Sequence, residues 1–132
     1  DTLEEQGFAD NTVIIHTSDH GEMAGEHGLW RKMCFYEQSA RVPLQVSWPG
    51  HLPEGQRISN ITSNVDITAT ILDLAGVSPD EWKLDGDSLL SLIDGDAADW
   101  KDEAFVEHLA HAGYDPFRQV QAVLQPRHTA RV

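Results

Sequence analysis

One stretch constrains this chain more than any other: Thr12 to Gly50, TVIIHTSDHGEMAGEHGLWRKMCFYEQSARVPLQVSWPG. A β-branched run, Thr12 to Ile15, breaks at once into Ser18-Asp19-His20-Gly21, passes Gly25 and Gly28, and ends in a second apolar run from Val42 to Trp48. Such a run reads as a buried strand that delivers two ligand-type side chains to its carboxyl end. In an open α/β sheet, ligands bind at that end. Any chemistry in this chain therefore starts at Asp19 and His20.

The segment Asp19 to Gly28 holds three glycines and forms no regular element, so the chain spends conformational entropy to order it. Around it, strands and helices interleave. Asp1 to Gln6 is helix-compatible with Gly7 as its C-cap, and Phe8 to Asn11 turns the chain. Thr12 to Thr17 and Val42 to Trp48 are predicted strands, with a short helical turn near Tyr36-Glu37-Gln38. Arg57 to Ile61 reads as a weak edge strand.

Asn64 to Gly76 is the clearest helix, with Ile67, Ile71, Leu74 and Ala75 at helical spacing and Asn64 or Asp66 as cap. Asp87 to Ile93 is a shorter amphipathic piece, and Ala104 to Leu109 another strand. No period survives after His111, and the last dozen residues are left without an element. The pattern predicts an α/β fold, with a partial mixed or parallel sheet flanked by helices.

With 132 residues, 40% of them hydrophobic, the chain can bury one small core. A formal charge of −13 excludes a general nucleic-acid binder, because nothing here neutralises a run of phosphates. No apolar run approaches the length of a membrane span. The single cysteine, Cys34, allows no internal disulfide; in MCFYE it has no adjacent base and reads as buried and inert. The chain opens on DTLEEQG without an initiator Met, so a fragment is the expectation.

Asp19 and His20 place a hard oxygen ligand beside an imidazole, next to a glycine that lets a ligand approach. Local physics leaves a plainer role open, in which Asp19 caps a turn and His20 satisfies a backbone carbonyl. Two ligands do not close a metal site, since Zn²⁺ takes about four and Ca²⁺ about six or more. His16, His27, His51, His108, His111 and His128 are scattered without HxxxH spacing.

Lys32, beside Trp30 and Arg31, is a cation placed to meet a tetrahedral anion and a departing oxygen. Its alternative is a surface lysine whose stem covers Trp30. Arg41 has a plain salt bridge to Glu37 as its alternative role. The acidic groups Asp80 to Asp87 and Asp94 to Asp102 lack a calcium-loop pattern and read as solvated.

Taken together, SDHGEMAGEHGLWRKM and EQSARVPLQVSWPG resemble the C-terminal part of type I sulfatases in the alkaline-phosphatase superfamily, and most closely the choline-sulfatase branch. NVDITATILDLAGV and LDGDSL resemble the helix that follows and its continuation, so the likeness covers about Leu3 to Leu109. It implies that Asp19 and His20 are metal ligands and that Lys32 is catalytic, contacting the sulfate and the leaving-group oxygen. His27 and Trp30 lie on the same loop, facing the substrate.

The implied cofactors are a divalent ion, Ca²⁺ in most branches with Mn²⁺ or Mg²⁺ in others, and a formylglycine made from a C/S-x-P-x-R motif. This chain has neither that motif nor the paired aspartates that complete the metal site. The resemblance thus assigns residues 1–76 to the end of a catalytic α/β domain and 77–132 to the start of a small C-terminal subdomain. It implies a small-molecule sulfate ester as substrate of the parent enzyme, with this piece inactive alone. Two rivals remain: a phosphodiesterase or phosphonate monoester hydrolase of the same superfamily, and a non-catalytic α/β module that self-associates as a homodimer through an exposed sheet edge or apolar surface.

Overall fold

A computed structural model describes residues 1–32, 34–78 and 82–107, together with the backbone of residues 123–125. Asp1 caps a single helical turn, α1 (Thr2–Glu5), by accepting the Glu4 N–H at 3.0 Å, and Gly7 leaves it with a left-handed φ of 71°. A 3₁₀ turn over Ala9–Asn11 then leads into β1 (Ile14–Thr17). β1 pairs with β2 (Leu44–Ser47), with Ile15 opposite Val46 and Thr17 opposite Leu44. Among the described residues between the two strands lie a 3₁₀ turn over Glu26–Gly28, inside the loop expected to hold no regular element, and one short helix, α2 (Glu37–Ala40).

The pairing is antiparallel, one of the pairings that the expected mixed sheet allows, rather than parallel. Among the described residues between the two strands there is no long helix of the kind that usually makes a parallel crossover. The burial of β1 also differs from expectation. Its Ile14 is 47% exposed, because β2 is the single strand paired with β1 among the described residues.

Arg57 to Ile61 forms no strand. Its two isoleucines, Ile58 and Ile61, plug the interior instead. Ile61 satisfies its backbone through side chains: its N–H donates to Asp102 Oδ1 at 2.9 Å, and its carbonyl accepts from Trp100 Nε1 at 2.8 Å. A chain whose backbone groups are spoken for in this way has none left for a ladder.

Helix α3 (Asn64–Leu74) starts from Ser63, not from Asn64 or Asp66 as expected. Asp66 instead reaches back to accept the Ser63 N–H at 2.6 Å, the reciprocal half of a capping box. The buried stripe of α3 is Asp66, Ala69 and Thr70, while Ile71 is about half exposed, which corrects the apolar face read from spacing. The reason is close approach. A Cβ on Gly86 would lie 2.4 Å from Val65 O, so this segment seats directly on the helix backbone.

Polar bonds then lock the seat. Asp66 Oδ1 accepts the Asp87 N–H at 3.1 Å, and Thr70 Oγ1 accepts the Leu89 N–H at 2.9 Å while donating to Asp66 O at 2.7 Å. From Leu89 the chain enters α4 (Leu90–Ile93), shorter than the Asp87–Ile93 piece expected. Ile58, Leu89, Leu92 and Ile93 form the core, with Leu44, Leu52 and Trp100 packed against it.

β3 (Ala104–Val106) covers the beginning of the expected Ala104–Leu109 strand, whose end lies outside the described residues. It pairs antiparallel with β4 (Val123–Gln125), an element in a stretch that the sequence left without one. The rest of the tail lies outside the described residues. No helix among the described residues is long and apolar enough to cross a membrane.

Candidate metal and anion site

β1 ends at Thr17, and the chain turns sharply through Ser18, Asp19 and His20. Ser18 Oγ donates to His20 O at 2.9 Å, and the His20 N–H donates to Asp19 Oδ1 at 3.0 Å. Both plainer roles raised by the sequence are thus filled, but they leave one atom of each side chain uncommitted. His20 Nδ1 lies 2.6 Å from Gly21 O. A carbonyl oxygen only accepts, so Nδ1 carries the proton, and in neutral His20 the lone pair is on Nε2.

That Nε2 stands 3.4 Å from Asp19 Oδ2. Two donors on one divalent ion, each at about 2.0–2.6 Å from it, are separated by about this much. A ring N–H held by a backbone carbonyl is the usual support of a metal-bound imidazole. The pair therefore fits a cation as two of its ligands. Among the described residues no group of three or more His, Cys, Asp or Glu side chains assembles, so the remaining ligands are not part of this constellation.

Desolvation pushes the Asp19 carboxyl upward, but it is outweighed. The neighbouring His20, the hydrogen bonds from the backbone N–H groups of His20 and Asp19, and the charge of Lys32 together hold it below the usual carboxylate range. Asp19 is thus an anion at neutral pH, suited to ligation and unsuited to proton donation. Lys32, the residue the sequence set beside this pair, lies within its electrostatic reach.

How Lys32 arrives there is a matter of the loop. Glu22 closes it by accepting the Ala24 and Arg31 N–H groups on one carboxylate oxygen, and the Met23 N–H donates to Arg31 O at 3.1 Å. Met23 is wholly buried beneath. Three residues with side chains, Ala24, His27 and Arg31, take left-handed φ of 47°, 52° and 71°, each at a cost of about 1–2 kcal/mol. His27 stacks on Tyr36 with ring centroids 4.3 Å apart, and Trp30 stands 73% exposed.

Two residues that the sequence reading gave no site role hold this arrangement. Buried Ser39 donates from Oγ to Lys32 O at 2.8 Å, and its carbonyl accepts the Gly21 N–H at 2.8 Å, so one residue of α2 ties both arms of the site. The approach is so close that a Cβ on Gly21 would lie 2.0 Å from Gln38 O. Asn64, at the start of α3, donates from Nδ2 to Ser18 O at 3.1 Å and to Asp19 O at 3.3 Å. The signal for Asn64 was present: Ser63 and Asn64 are both capping types, only one can cap, and the other is free to reach elsewhere.

The remaining candidates stand apart. His16 lies in β1 opposite Gln45, and His51 stacks on Trp48 at 4.1 Å. Arg41 pairs with Glu37 at 3.9 Å, as expected. His108, His111 and His128 lie outside the described residues. A cleft of about 270 Å³ opens behind Asn64, between Arg41, Thr62 and Phe105, and is lined by none of Asp19, His20 and Lys32. The site is an open wall.

A carboxylate and an imidazole thus converge within reach of a lysine's charge, a set of groups that suits a divalent cation and an oxyanion. The chain belongs to the family described as N-sulphoglucosamine sulphohydrolase, C-terminal, whose model matches residues 25–129. Lys32 lies within the matched residues, and Asp19 and His20 just precede them. The chain is 44% identical over 118 residues to a choline-sulfatase of Rhizobium meliloti, covering 88% of this chain and 22% of that protein.

Among solved structures, a protein in complex with its substrate D-glucosamine-2-N,6-O-disulfate superposes with a TM-score of 0.82 at 33% identity, over 94% of this chain and 25% of that one. A phosphonate monoester hydrolase from Silicibacter pomeroyi gives 0.76 at 36% identity, over 87% and 22%. The chain thus spans about a fifth to a quarter of the length of these relatives, within an alkaline-phosphatase-like fold.

Proposed function

We propose that this chain forms one wall of the active site of a metal-dependent sulfuric-ester hydrolase acting on a small-molecule sulfate ester, and that alone it does not turn over. The observation that carries this reading is the convergence of Asp19 Oδ2 and His20 Nε2, with Lys32 in reach, in a chain of a sulfatase family. Asp19 and His20 would hold the cation, Ca²⁺ first and Mn²⁺ or Mg²⁺ next. Once bound, that ion supplies positive charge against the sulfate oxygens.

Every other contribution belongs to the chain itself. Asp19 stays ionised, His20 presents a lone pair, and Lys32 gives hydrogen bonds to a sulfate oxygen and to the leaving-group oxygen, with a proton available at Nζ. Exposed Trp30 and stacked His27 offer ring faces to the alcohol part of the substrate. A formylglycine nucleophile, expected in such enzymes, would have to come from outside this chain, which has no C/S-x-P-x-R motif. On this reading residues 1–76 complete a catalytic domain and 77–132 begin a second one. Hydrogen bonds from α3 to Asp87 and Leu89 cross that boundary.

The similarity to a phosphonate monoester hydrolase supports a second reading, in which the same wall serves a phosphoryl group. Nuclear magnetic resonance on the labelled chain separates these. Mn²⁺ is expected to broaden the signals of Asp19 to Gly21, and sulfate to shift those around Lys32 in a way that Lys32→Ala abolishes. Preference for methylphosphonate over sulfate would favour the second reading. No effect of Mn²⁺ at Asp19 and His20, or sulfate-ester turnover by the chain that Lys32→Ala abolishes, would overturn the proposal as stated.

A further inference from the structure

The side chain of Asn64 has a use that helix formation does not explain. The start of α3 is already served: Ser63 caps, and Asp66 returns to the Ser63 N–H. Asn64 turns away from the helix and spends its NH₂ group on Ser18 O and Asp19 O, which belong to a segment distant in sequence. Two acceptors facing one amide group also assign its orientation, because only the nitrogen side can donate.

Those two carbonyls are the ones that matter for Asp19. Each lies in a rigid peptide plane, the first joining Ser18 to Asp19 and the second joining Asp19 to His20. Fixing both planes fixes both soft backbone torsions of Asp19. The second plane also carries the His20 N–H, which donates to Asp19 Oδ1. Holding it therefore aims Oδ1 at the backbone and leaves Oδ2 turned to His20 Nε2, 3.4 Å away.

Asn64 can act as a fixed post because α3 is anchored by buried bonds to Asp87 and Leu89. On the opposite side, Gly21 is held by Ser39. The ligand turn is pinned between two helices, and Asn64 is the only side chain among the hydrogen bonds described that reaches it from α3.

We infer that Asn64 is the positioning residue of the Asp19–His20 pair, setting its affinity for a divalent cation without touching the cation. This rests on the ligand reading above. Groups that orient metal ligands typically account for about 10–100-fold in affinity.

The test is a Mn²⁺ titration of the full ¹⁵N-labelled chain. Asn64→Ala is expected to need about tenfold more Mn²⁺ for equal broadening of Asp19 to Gly21, with protection of the Leu89 amide unchanged. Broadening at the wild-type concentration would overturn the inference. Absence of broadening in the wild type would remove the ligand reading alone, and hydrogen exchange without metal then decides. Asn64→Asp keeps the shape of the side chain and favours a helix start, yet it cannot donate. Exchange of the Gly21 amide about tenfold faster in both Asn64→Ala and Asn64→Asp supports positioning; unchanged exchange in both overturns it.

Discussion

Gly21 and Gly86 meet the same steric demand in two regions that are held together differently. At each, an added Cβ would fall within about 2.5 Å of a carbonyl oxygen, of Gln38 in the first case and Val65 in the second. Around Gly86 the contact is with the backbone of Val65 and buried Asp66, and the close approach seats a helix against the core through Asp66 and Thr70. Around Gly21 the contact is with half-buried Gln38 and buried Ser39, and the loops are held by a few hydrogen bonds made by Ser39, Asn64 and the accepting carboxylate of exposed Glu22. The lobe containing α3 and α4 is packed; the site wall is pinned. Packed regions fail globally, and pinned ones fail locally.

The largest effect should follow Gly86→Ala. No flexible side chain can yield there, so α3 must leave the core, at a cost of about 3 kcal/mol or more in urea unfolding. Gly21→Ala meets an equally hard obstacle but should loosen only the wall. Hydrogen exchange at Met23 and Arg31 would rise while the Leu89 amide keeps its protection. Equal loss of protection in both places would erase the distinction between the regions.

Next comes Thr70→Val, which removes the acceptor of the buried Leu89 N–H and should cost about 2 kcal/mol. A change under about 0.5 kcal/mol would mean that the ladder does not hold the lobe.

The two carboxylates also separate the regions. Burial first, with help from the charge of Asp87, drives Asp66 above its ordinary value of 3.8, against the backbone hydrogen bonds from Ser63 and Asp87. The native state therefore keeps that proton longer than the unfolded chain. The contribution of Asp66 is fully present below pH 3.8 and is lost as pH rises through the shifted value. Asp66→Asn should flatten the stability profile in that window, and an unchanged slope would refute the assignment. Asp19, shifted the other way at the exposed wall, would behave in the opposite sense.

The smallest stability change belongs to His27→Gly. It gives up a ring stack but releases a left-handed backbone, and the two terms should offset to within about 1 kcal/mol. Separately, gel filtration tests whether the open edge of β1 and exposed Ile14 bring two chains together. A monomer at all concentrations would set that expectation aside.

What the sequence could reveal divides along the same line. The strand before Asp19, the helix beginning near Asn64 and the irregular loop between Gly21 and Gly28 were legible, because periodicity and glycine spacing are local signals. Strand direction was not, since it depends on how the long connection between β1 and β2 folds back. Nor was the burial of Ile58 and Ile61, whose β-branched side chains suit a strand as well as a core plug. Asp19, His20 and Lys32 were named from residue type and resemblance, whereas Ser39 left no signal and Asn64 only the pairing of two capping types. Their roles consist of hydrogen bonds to backbone atoms far along the chain, and no spacing rule records those.

The exposure of Trp30 has an optical consequence. Of the four tryptophans, Trp48 and Trp100 tie their ring N–H groups to carbonyls at Asp10 and Ile61, whereas Trp30 and Trp82 stand largely in water. A chain of charge −13 should repel iodide, yet exposed Trp30 lies against Gly25 and is followed in sequence by the cations Arg31 and Lys32, which should draw a collisional anion. Its emission should be quenched by iodide out of proportion to its share of the fluorescence, and the excess should fade as salt screens the two cations. Any anion that occupies Lys32 would shield it too, so the wall carries its own reporter of occupancy.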